Sequence, residues 1–235
     1  MAEPLVCVPP TSVITGWDFS TGAVKCLAFD LEGRTLAEIR LPTDLWDRDG
    51  VSELNLMQLE GQARATTRAI AGQLREQNRL RHWVAGGISA THHTSGRIDG
   101  HGVQVRRAIC WNDHTLGQYH EIGLRRLGGQ EAVRRLIGGP WAIRYSLSHL
   151  VKDELTLPAA DWRRTRLIVS HGGLAAGFLT GNFGVVSVSA AASTGLLDLR
   201  SAAWCKEMLG ALENPEYRQL AWQQLPRILA QDVPV

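Results

Sequence analysis

The residues most able to do chemistry lie near the start of the chain, at residues 16–25, with the sequence GWDFSTGAVK. Asp18 ends an apolar stretch, and Ser20, Thr21 and Gly22 form a turn before the next one. Such a turn can aim backbone N–H groups and hydroxyls at one anion. A carboxylate fixed at a strand end can hold Mg²⁺ directly or through water. The pattern predicts a cradle for nucleotide phosphates, although ordinary hairpin turns use the same residue types.

Other motifs for phosphate or metal binding are absent from the sequence. It contains neither GxxxxGK[ST] nor GxGxxG. Several histidines fall between residues 82 and 120, but without the ligand spacing of a zinc site. The four cysteines are far apart in the chain, and Cys26 and Cys110 lie in apolar stretches. This distribution favours buried free thiols in a reducing compartment.

Composition limits the class of protein and its partners. The chain has 235 residues, of which 44% are hydrophobic and 20% charged, and a net charge of +2. These values indicate a globular protein with one full-sized domain, and they give no strong attraction to nucleic acid or anionic lipid. No apolar stretch is long enough to span a bilayer. Residues 1–11 are proline-rich and lack the pattern of a signal peptide, so we expect a disordered tail on a cytoplasmic protein.

The first third of the chain predicts three strands followed by a helix. The strands are expected over Val13–Trp17, Val24–Phe29 and Thr35–Leu41. A loop through Trp46 follows, and Ser52 is predicted to cap a helix that runs to about residue 79. The apolar residues with helical spacing in this segment are Leu56, Leu59, Ala63, Ile70 and Leu74.

The rest of the chain predicts further strands and then mostly helices, which makes mixed α/β the expected class. His82–Ser89 predicts a buried strand, Thr94–Asp99 and Val103–Trp111 predict a hairpin, and Arg166–Ser170 predicts a short strand. Helices are expected over Leu116–Leu127, Gln130–Ile137, Ala142–Leu155, Leu174–Leu179, Ser201–Leu212 and Pro215–Leu229. Paired arginines are expected on solvated faces, at Arg106–Arg107, Arg125–Arg126, Arg134–Arg135 and Arg163–Arg164.

Five segments in order resemble the amino-terminal domain of the FGGY family of carbohydrate kinases, in particular its xylulokinase-like members. The phosphate turn resembles the D-x-G-T-x-x-x-K motif of the wider actin-like ATPase superfamily. The other matching segments are Phe29–Gly33, Gly87–His93, Ala108–Asp113, and Leu179–Gly181 with Ala192–Asp198. The resemblance covers about residues 13 to 230. It implies a ribonuclease-H-like α/β domain over residues 12–235, with a mixed five-stranded sheet flanked by helices.

The resemblance also implies phosphorylation of a ketose or polyol hydroxyl, with ATP and Mg²⁺ as cofactors and a sugar as substrate. It implies that Asp18 is the catalytic and Mg²⁺-binding acid. It places the phosphates against Ser20, Thr21, Gly22 and Lys25. It places the sugar against His93, Trp111 and Asp113. The chemistry of these residues is compatible, because imidazole and carboxylate groups are suitable hydrogen-bond partners for sugar hydroxyls and an indole face suits the C–H surface of a sugar. Trp111 equally suits a core position at the end of a strand, and both alternatives stay open.

The sequence departs from the family pattern at several positions. Ser20 replaces a usual glycine, Thr91 replaces a glutamine, and His114 stands where an arginine commonly follows Asp113. The family's general base belongs to a glycine-rich turn further along than this sequence runs, and Asp232 has no such glycines around it. We therefore expect a kinase lobe that needs a C-terminal domain or a partner subunit, with a homodimer also compatible. The alternative is a non-catalytic sugar-binding module.

Overall fold

The structure is a computed structural model that describes residues 8–230 and 233–234. Most of the predicted disordered tail, residues 1–7, lies outside the described residues, as does Asp232. Residues 8–11 form an exposed turn that leads into the first strand.

The described residues form strands up to Leu54 and a mixture of helices and strands after it. The strands are β1 (Val13–Phe19), β2 (Ala23–Phe29), β3 (Thr35–Pro42), β4 (Leu45–Arg48), β5 (Val51–Leu54), β6 (Trp83–Ala90), β7 (Ser95–Ile98), β8 (Gln104–Ile109), β9 (Leu167–Ser170), β10 (Val185–Ser187), β11 (Leu197–Asp198), β12 (Ala203–Trp204) and β13 (Arg227–Leu229). The helices are α1 (Leu56–Glu76), α2 (Leu116–Arg126), α3 (Gln130–Ile137), α4 (Ser146–Thr156), α5 (Ala159–Arg164), α6 (His171–Thr180), α7 (Val188–Ala192) and α8 (Pro215–Gln223).

The first sheet carries the predicted phosphate turn and has the strand order β3-β2-β1-β6. Strand β1 pairs antiparallel with β2 and parallel with β6. The predicted three-stranded meander is confirmed, and so is the ribonuclease-H-like α/β class. The strand count differs in one detail, because this mixed sheet has four strands among the described residues instead of the expected five.

The second sheet is antiparallel throughout and has the order β4-β5-β8-β7-β9. The predicted β7–β8 hairpin is confirmed. The prediction of a loop through Trp46 was wrong, because this segment forms β4. Asp49 and Gly50 both have positive φ, 53° and 80°, and so make the tight turn that an Asp-Gly pair favours in a hairpin.

This hairpin also overturns the predicted start of α1. Ser52 is buried within β5, and Asn55 caps the helix by accepting a hydrogen bond from the Met57 N–H. The helix ends at Glu76 instead of continuing to residue 79. The apolar face of α1 is confirmed, since all its predicted members are buried against the first sheet.

Strand β6 was predicted to be buried, and this prediction was wrong. Six of its eight residues are exposed, including Val84 at 54% and Ile88 at 39%. Within the part of the chain that the structure describes, β6 pairs with β1 on one side and with no strand on the other. The apolar sequence of β6 predicts burial, but most of the strand is exposed.

Two predicted helices near the C-terminus were also wrong in extent. Residues 201–212 form no α-helix; they contribute β12 and a 3₁₀ helix over Lys206–Ala211. Helix α8 ends at Gln223 because Pro226 cannot continue it, and the next three residues form β13, parallel to β10. Helix α4 begins at Ser146, four residues later than expected, after a turn in which the Tyr145 N–H donates to the Ala142 carbonyl.

Apolar residues pack in two main clusters. One lies between the first sheet and helices α1 and α6, and the other is built by α2 to α5, α8 and the 3₁₀ segment around Trp141 and Trp162. Cys26 and Cys110 are buried as predicted, and burial raises the pKa of both thiols to about 12. In the described ranges, no helix combines the length and the apolar character needed to cross a membrane.

Candidate active site

The predicted phosphate turn lies at the tip of the β1–β2 hairpin, and we call residues 18–25 the phosphate hairpin. Asp18 and Lys25 are cross-strand partners in the β1–β2 register. The Lys25 Nζ lies 3.5 Å from an Asp18 carboxylate oxygen, and the two side chains are 38% and 44% exposed. The carboxylate therefore faces outward, away from the apolar core, where a ligand can reach it.

The turn itself contains one engaged hydroxyl and two free donor groups. The Ser20 hydroxyl donates to the Ala23 carbonyl at 2.8 Å and accepts from the Ala23 N–H at 3.2 Å, so it closes the turn. Among the described residues, neither the Thr21 hydroxyl nor the Gly22 N–H has a hydrogen-bond partner. A Cβ built on Gly22 would meet no atom within 4 Å, so the surface there is open.

The donor set of the phosphate hairpin fits Mg²⁺ in the way nucleotide enzymes use it. Mg²⁺ is usually held by one or two carboxylates together with substrate phosphates and water, not by a cage of protein ligands. Asp18 supplies one accessible carboxylate. Within residues 8–230 and 233–234, no three His, Cys, Asp or Glu side chains converge on a common point, so a protein-only metal cage is not formed there.

The parallel pairing of β1 with β6 brings the segment that precedes His93 next to the phosphate hairpin. Asp18 lies beside Ser89 in this register, and the Thr91 N–H donates to the Phe19 carbonyl at 3.0 Å. The chain therefore leaves β6 next to the phosphate hairpin and leads directly to His93. A cavity of about 250 Å³ lies alongside and is lined by residues that include Ser89, Thr91, His92, Gly172, Ser187 and Ser193.

His93 is held by parts of the chain far away in sequence. Its Nδ1 lies 3.0 Å from the Ser193 carbonyl oxygen, and its ring stacks on Tyr145 with centroids 4.7 Å apart and planes 14° apart. Its backbone has φ of 58°, a left-handed conformation. Burial, reinforced by the charges of Arg144 and His92, lowers the pKa of His93, although the Ser193 carbonyl acts the other way. The imidazole is therefore neutral near pH 7.

Trp111 is joined to the segment after His93 and is exposed. Its backbone N–H donates to the hydroxyl of Thr94, the residue after His93, at 3.3 Å. Trp111 is 43% exposed, so the core alternative for it is excluded.

Asp113 is close by, but its carboxylate is buried and fully engaged. One oxygen accepts from the Thr115 N–H and hydroxyl at 2.8 and 2.5 Å, and the other lies 2.8 Å from the Lys152 Nζ. The side chain has no exposed surface. That Asp113 contacts a sugar stays a prediction; in this structure it fixes the loop that carries Trp111.

Three contributors to this site were not predicted: Tyr145, Lys152 and the Ser193 carbonyl. Lys152 lies on α4, and most of the other residues of this helix are buried. A charged residue among them was a signal that could have been read from the sequence. Ser193 gave no such signal, because it contacts His93 through its backbone carbonyl.

Comparisons with known proteins identify the family of this chain. Residues 13–231 match the FGGY family of carbohydrate kinases, N-terminal domain. No curated protein sequence matches the chain.

Solved structures share the fold at low sequence identity. A xyloylose kinase from Brucella ovis has a TM-score of 0.78 at 22% identity, over 92% of this chain and 42% of that one. A xylulose kinase from Rhodospirillum rubrum has a TM-score of 0.76 at 21% identity, over 92% and 43%. A Plasmodium falciparum glycerol kinase with ADP has a TM-score of 0.70 at 17% identity, over 92% and 43%. The chain thus spans less than half the length of these kinases. On the family match over nearly its whole length, the chain belongs to the FGGY family of carbohydrate kinases.

Proposed function

We propose that this chain is the sugar- and phosphate-binding lobe of an ATP-dependent kinase that phosphorylates a ketose or polyol hydroxyl. The observation that carries the proposal is the placement of Asp18 at the exposed end of β1, next to the end of β6, the strand that leads to His93. The proposed phosphate-binding and sugar-binding groups would thus lie at the same end of these two strands. A donor phosphate and an acceptor hydroxyl held there would be close to each other.

Phosphoryl transfer depends mainly on positioning and on stabilising charge. Asp18 would hold Mg²⁺, which when bound offsets the negative charge of the phosphates. The free Thr21 hydroxyl and Gly22 N–H would donate to phosphate oxygens, and Lys25 adds a positive charge next to them. Because Ser20 closes the turn through Ala23, its role is to shape the cradle.

The sugar would lie against Trp111 and His93. The indole face would cover the C–H surface of the sugar, and the neutral imidazole would accept a hydrogen bond from a hydroxyl. Asp113 would contribute indirectly, because it fixes the loop that carries Trp111 through Thr115 and Lys152. The base that takes the hydroxyl proton and the cover that excludes water would come from a C-terminal domain or a partner subunit.

Asp18→Asn tests the kinase proposal. Turnover of D-xylulose, followed by ADP release from the chain together with its complementing lobe, should fall about a hundredfold or more, because one charge-stabilising group is lost. Calorimetric affinity for the sugar should not change. Asp49→Asn, which alters an exposed carboxylate in the β4–β5 turn, is the matched control and should keep full turnover. An Asp18→Asn rate equal to that of the control would contradict the assignment.

The alternative function, a non-catalytic sugar-binding module, is favoured by one specific observation. At the phosphate hairpin, Ser20 stands where the family motif usually has glycine, and its hydroxyl is engaged with Ala23 instead of being free for a phosphate. Calorimetry with D-xylulose should show binding under both proposals. ADP release that stays at background when the complementing lobe is supplied would support the module and contradict the kinase.

A further inference from the structure

The His93 side chain is fixed on two sides by residues from distant parts of the chain. We propose that Tyr145 is a positioning residue that, together with the Ser193 carbonyl, holds the His93 imidazole in one orientation and one tautomer. Where it concerns the sugar, this inference rests on the proposed function. The contacts within the protein stand without it.

The tautomer follows from the chemistry of the partner. A backbone carbonyl can only accept a hydrogen bond, so at 3.0 Å from the Ser193 oxygen the Nδ1 of His93 must carry the hydrogen. In a neutral imidazole the other nitrogen is then an acceptor. Among the described residues, Nε2 of His93 has no partner. It is thus available to accept a hydrogen bond from a hydroxyl of the sugar.

The orientation follows from the stack on Tyr145. The two rings are nearly parallel at 14°, with centroids 4.7 Å apart, so the phenol ring covers one face of the imidazole. His93 has a left-handed backbone that few residues other than glycine adopt, and its position therefore needs support from its surroundings. Tyr145 provides that support at the ring, and Ser193 provides it at Nδ1.

Tyr145 is itself fixed by the segment that holds His93. The Leu147 N–H donates to the Thr194 carbonyl at 2.8 Å, which attaches the start of α4 to this segment. A Cβ built on Gly195 would lie 3.4 Å from the Tyr145 Cδ2, so the phenol ring packs closely on the backbone there. Residues 193–195 therefore hold both members of the stack.

Histidine NMR on the ¹⁵N-labelled full chain tests the proposal, with the His93 signals assigned from a His93→Gln variant. The unmodified protein should show the Nδ1–H tautomer and ring protons shifted upfield by Tyr145. Tyr145→Phe keeps the stack and should preserve both signatures. Tyr145→Leu should lose the upfield shift and show a mixture of the two tautomers.

Sugar affinity gives a second readout. Tyr145→Leu should weaken D-xylulose binding about three- to tenfold, the range expected for one aromatic contact, while Tyr145→Phe should stay close to the unmodified protein. Unchanged His93 signals in Tyr145→Leu would overturn the positioning role. If that variant does not fold, an Nε2–H tautomer or an absent upfield shift in the unmodified protein overturns it instead. Intact His93 signatures without any sugar binding would contradict the proposed function alone and support the positioning role.

Discussion

Two carboxylate–cation groups in this molecule have opposite surroundings. At the phosphate hairpin, Asp18 and Lys25 are both exposed and lie 3.5 Å apart. Between the second sheet and α4, Asp153 is fully buried and accepts from the Arg97 Nε at 2.6 Å and the Arg106 Nε at 2.7 Å. The comparison teaches that a carboxylate surrounded by its own chain is structural, whereas an exposed one is available to a ligand.

Arg97 makes two further contacts within the buried group. The Arg97 guanidinium lies 3.9 Å above the Trp162 ring, and its Nη1 donates to the Gln224 Oε1 at 3.2 Å. Burial acts to raise the pKa of Asp153, but Arg106 and Arg97 outweigh it and hold that pKa below its ordinary value. The group therefore connects β7, β8, α4 and the end of α8 through charges that are shielded from water.

The largest expected effect comes from breaking the buried group. Asp153→Asn would leave the buried Arg97 and the partly buried Arg106 without a charged partner, and it should lower the free energy of unfolding by about 3–5 kcal/mol. Urea unfolding followed by circular dichroism measures this loss. Asp161→Asn, which changes a carboxylate paired at the surface with Arg164, is the control. A loss of unfolding free energy no larger than that of Asp161→Asn would show that the buried group contributes no more to stability than a surface ion pair.

An intermediate effect is expected from pH, because His149 and His171 are both buried. Burial lowers the pKa of His149 to about 3 and that of His171 to about 4, from an unfolded value of 6.5. The unfolded chain therefore binds protons first as pH falls. Stability is complete above pH 6.5 and decreases from there down to the folded pKa values, by about 2 kcal/mol per histidine at pH 5.

Urea unfolding at pH 7 and pH 5 checks this dependence. His149→Gln should reduce the difference between the two pH values, because one of the two titrating groups is gone. His101→Gln changes an exposed histidine and should leave the difference as it is. A difference that persists in full in His149→Gln would show that other groups cause it.

The smallest effect is expected where the charges are exposed. Asp18→Asn should change the free energy of unfolding by less than about 1 kcal/mol, since a solvent-exposed ion pair contributes little to stability. The same urea measurement, repeated in 0.5 M salt to screen the pair, gives the value. A loss similar to that of Asp153→Asn would mean that the phosphate hairpin depends on Asp18 for folding.

Local patterns in the sequence predicted the elements that local physics determines. The β1–β2–β3 meander follows from apolar stretches separated by turn residues, and the buried face of α1 follows from helical spacing. The β4–β5 hairpin was missed although Asp49–Gly50 is a strong turn signal. The apolar composition of β6 predicted burial, but composition does not show whether another strand covers β6.

Contacts between distant residues were not predictable in this way. Arg106 was expected on a solvated face and instead reaches Asp153, while Arg126 pairs with Glu154 on the same helix as Asp153. The Ser193 carbonyl meets His93 across 100 residues of chain and leaves no mark in side-chain patterns. The phosphate hairpin was predictable because its residues are adjacent in sequence. The contacts of His93 with Ser193 and Tyr145 were not, because they join residues far apart in the chain.

The open side of β6 bears on how copies of this protein meet at high concentration. Natural edge strands usually carry a lysine, a proline or a bulge that discourages association. Strand β6, with the sequence WVAGGISA, has no charge and no proline, and the irregularity in its pairing with β1 lies at its start, between Trp83 and Ala85. Its unpaired N–H and C=O groups are a template on which another extended chain can add. The association of copies in solution therefore depends on what covers that side of β6.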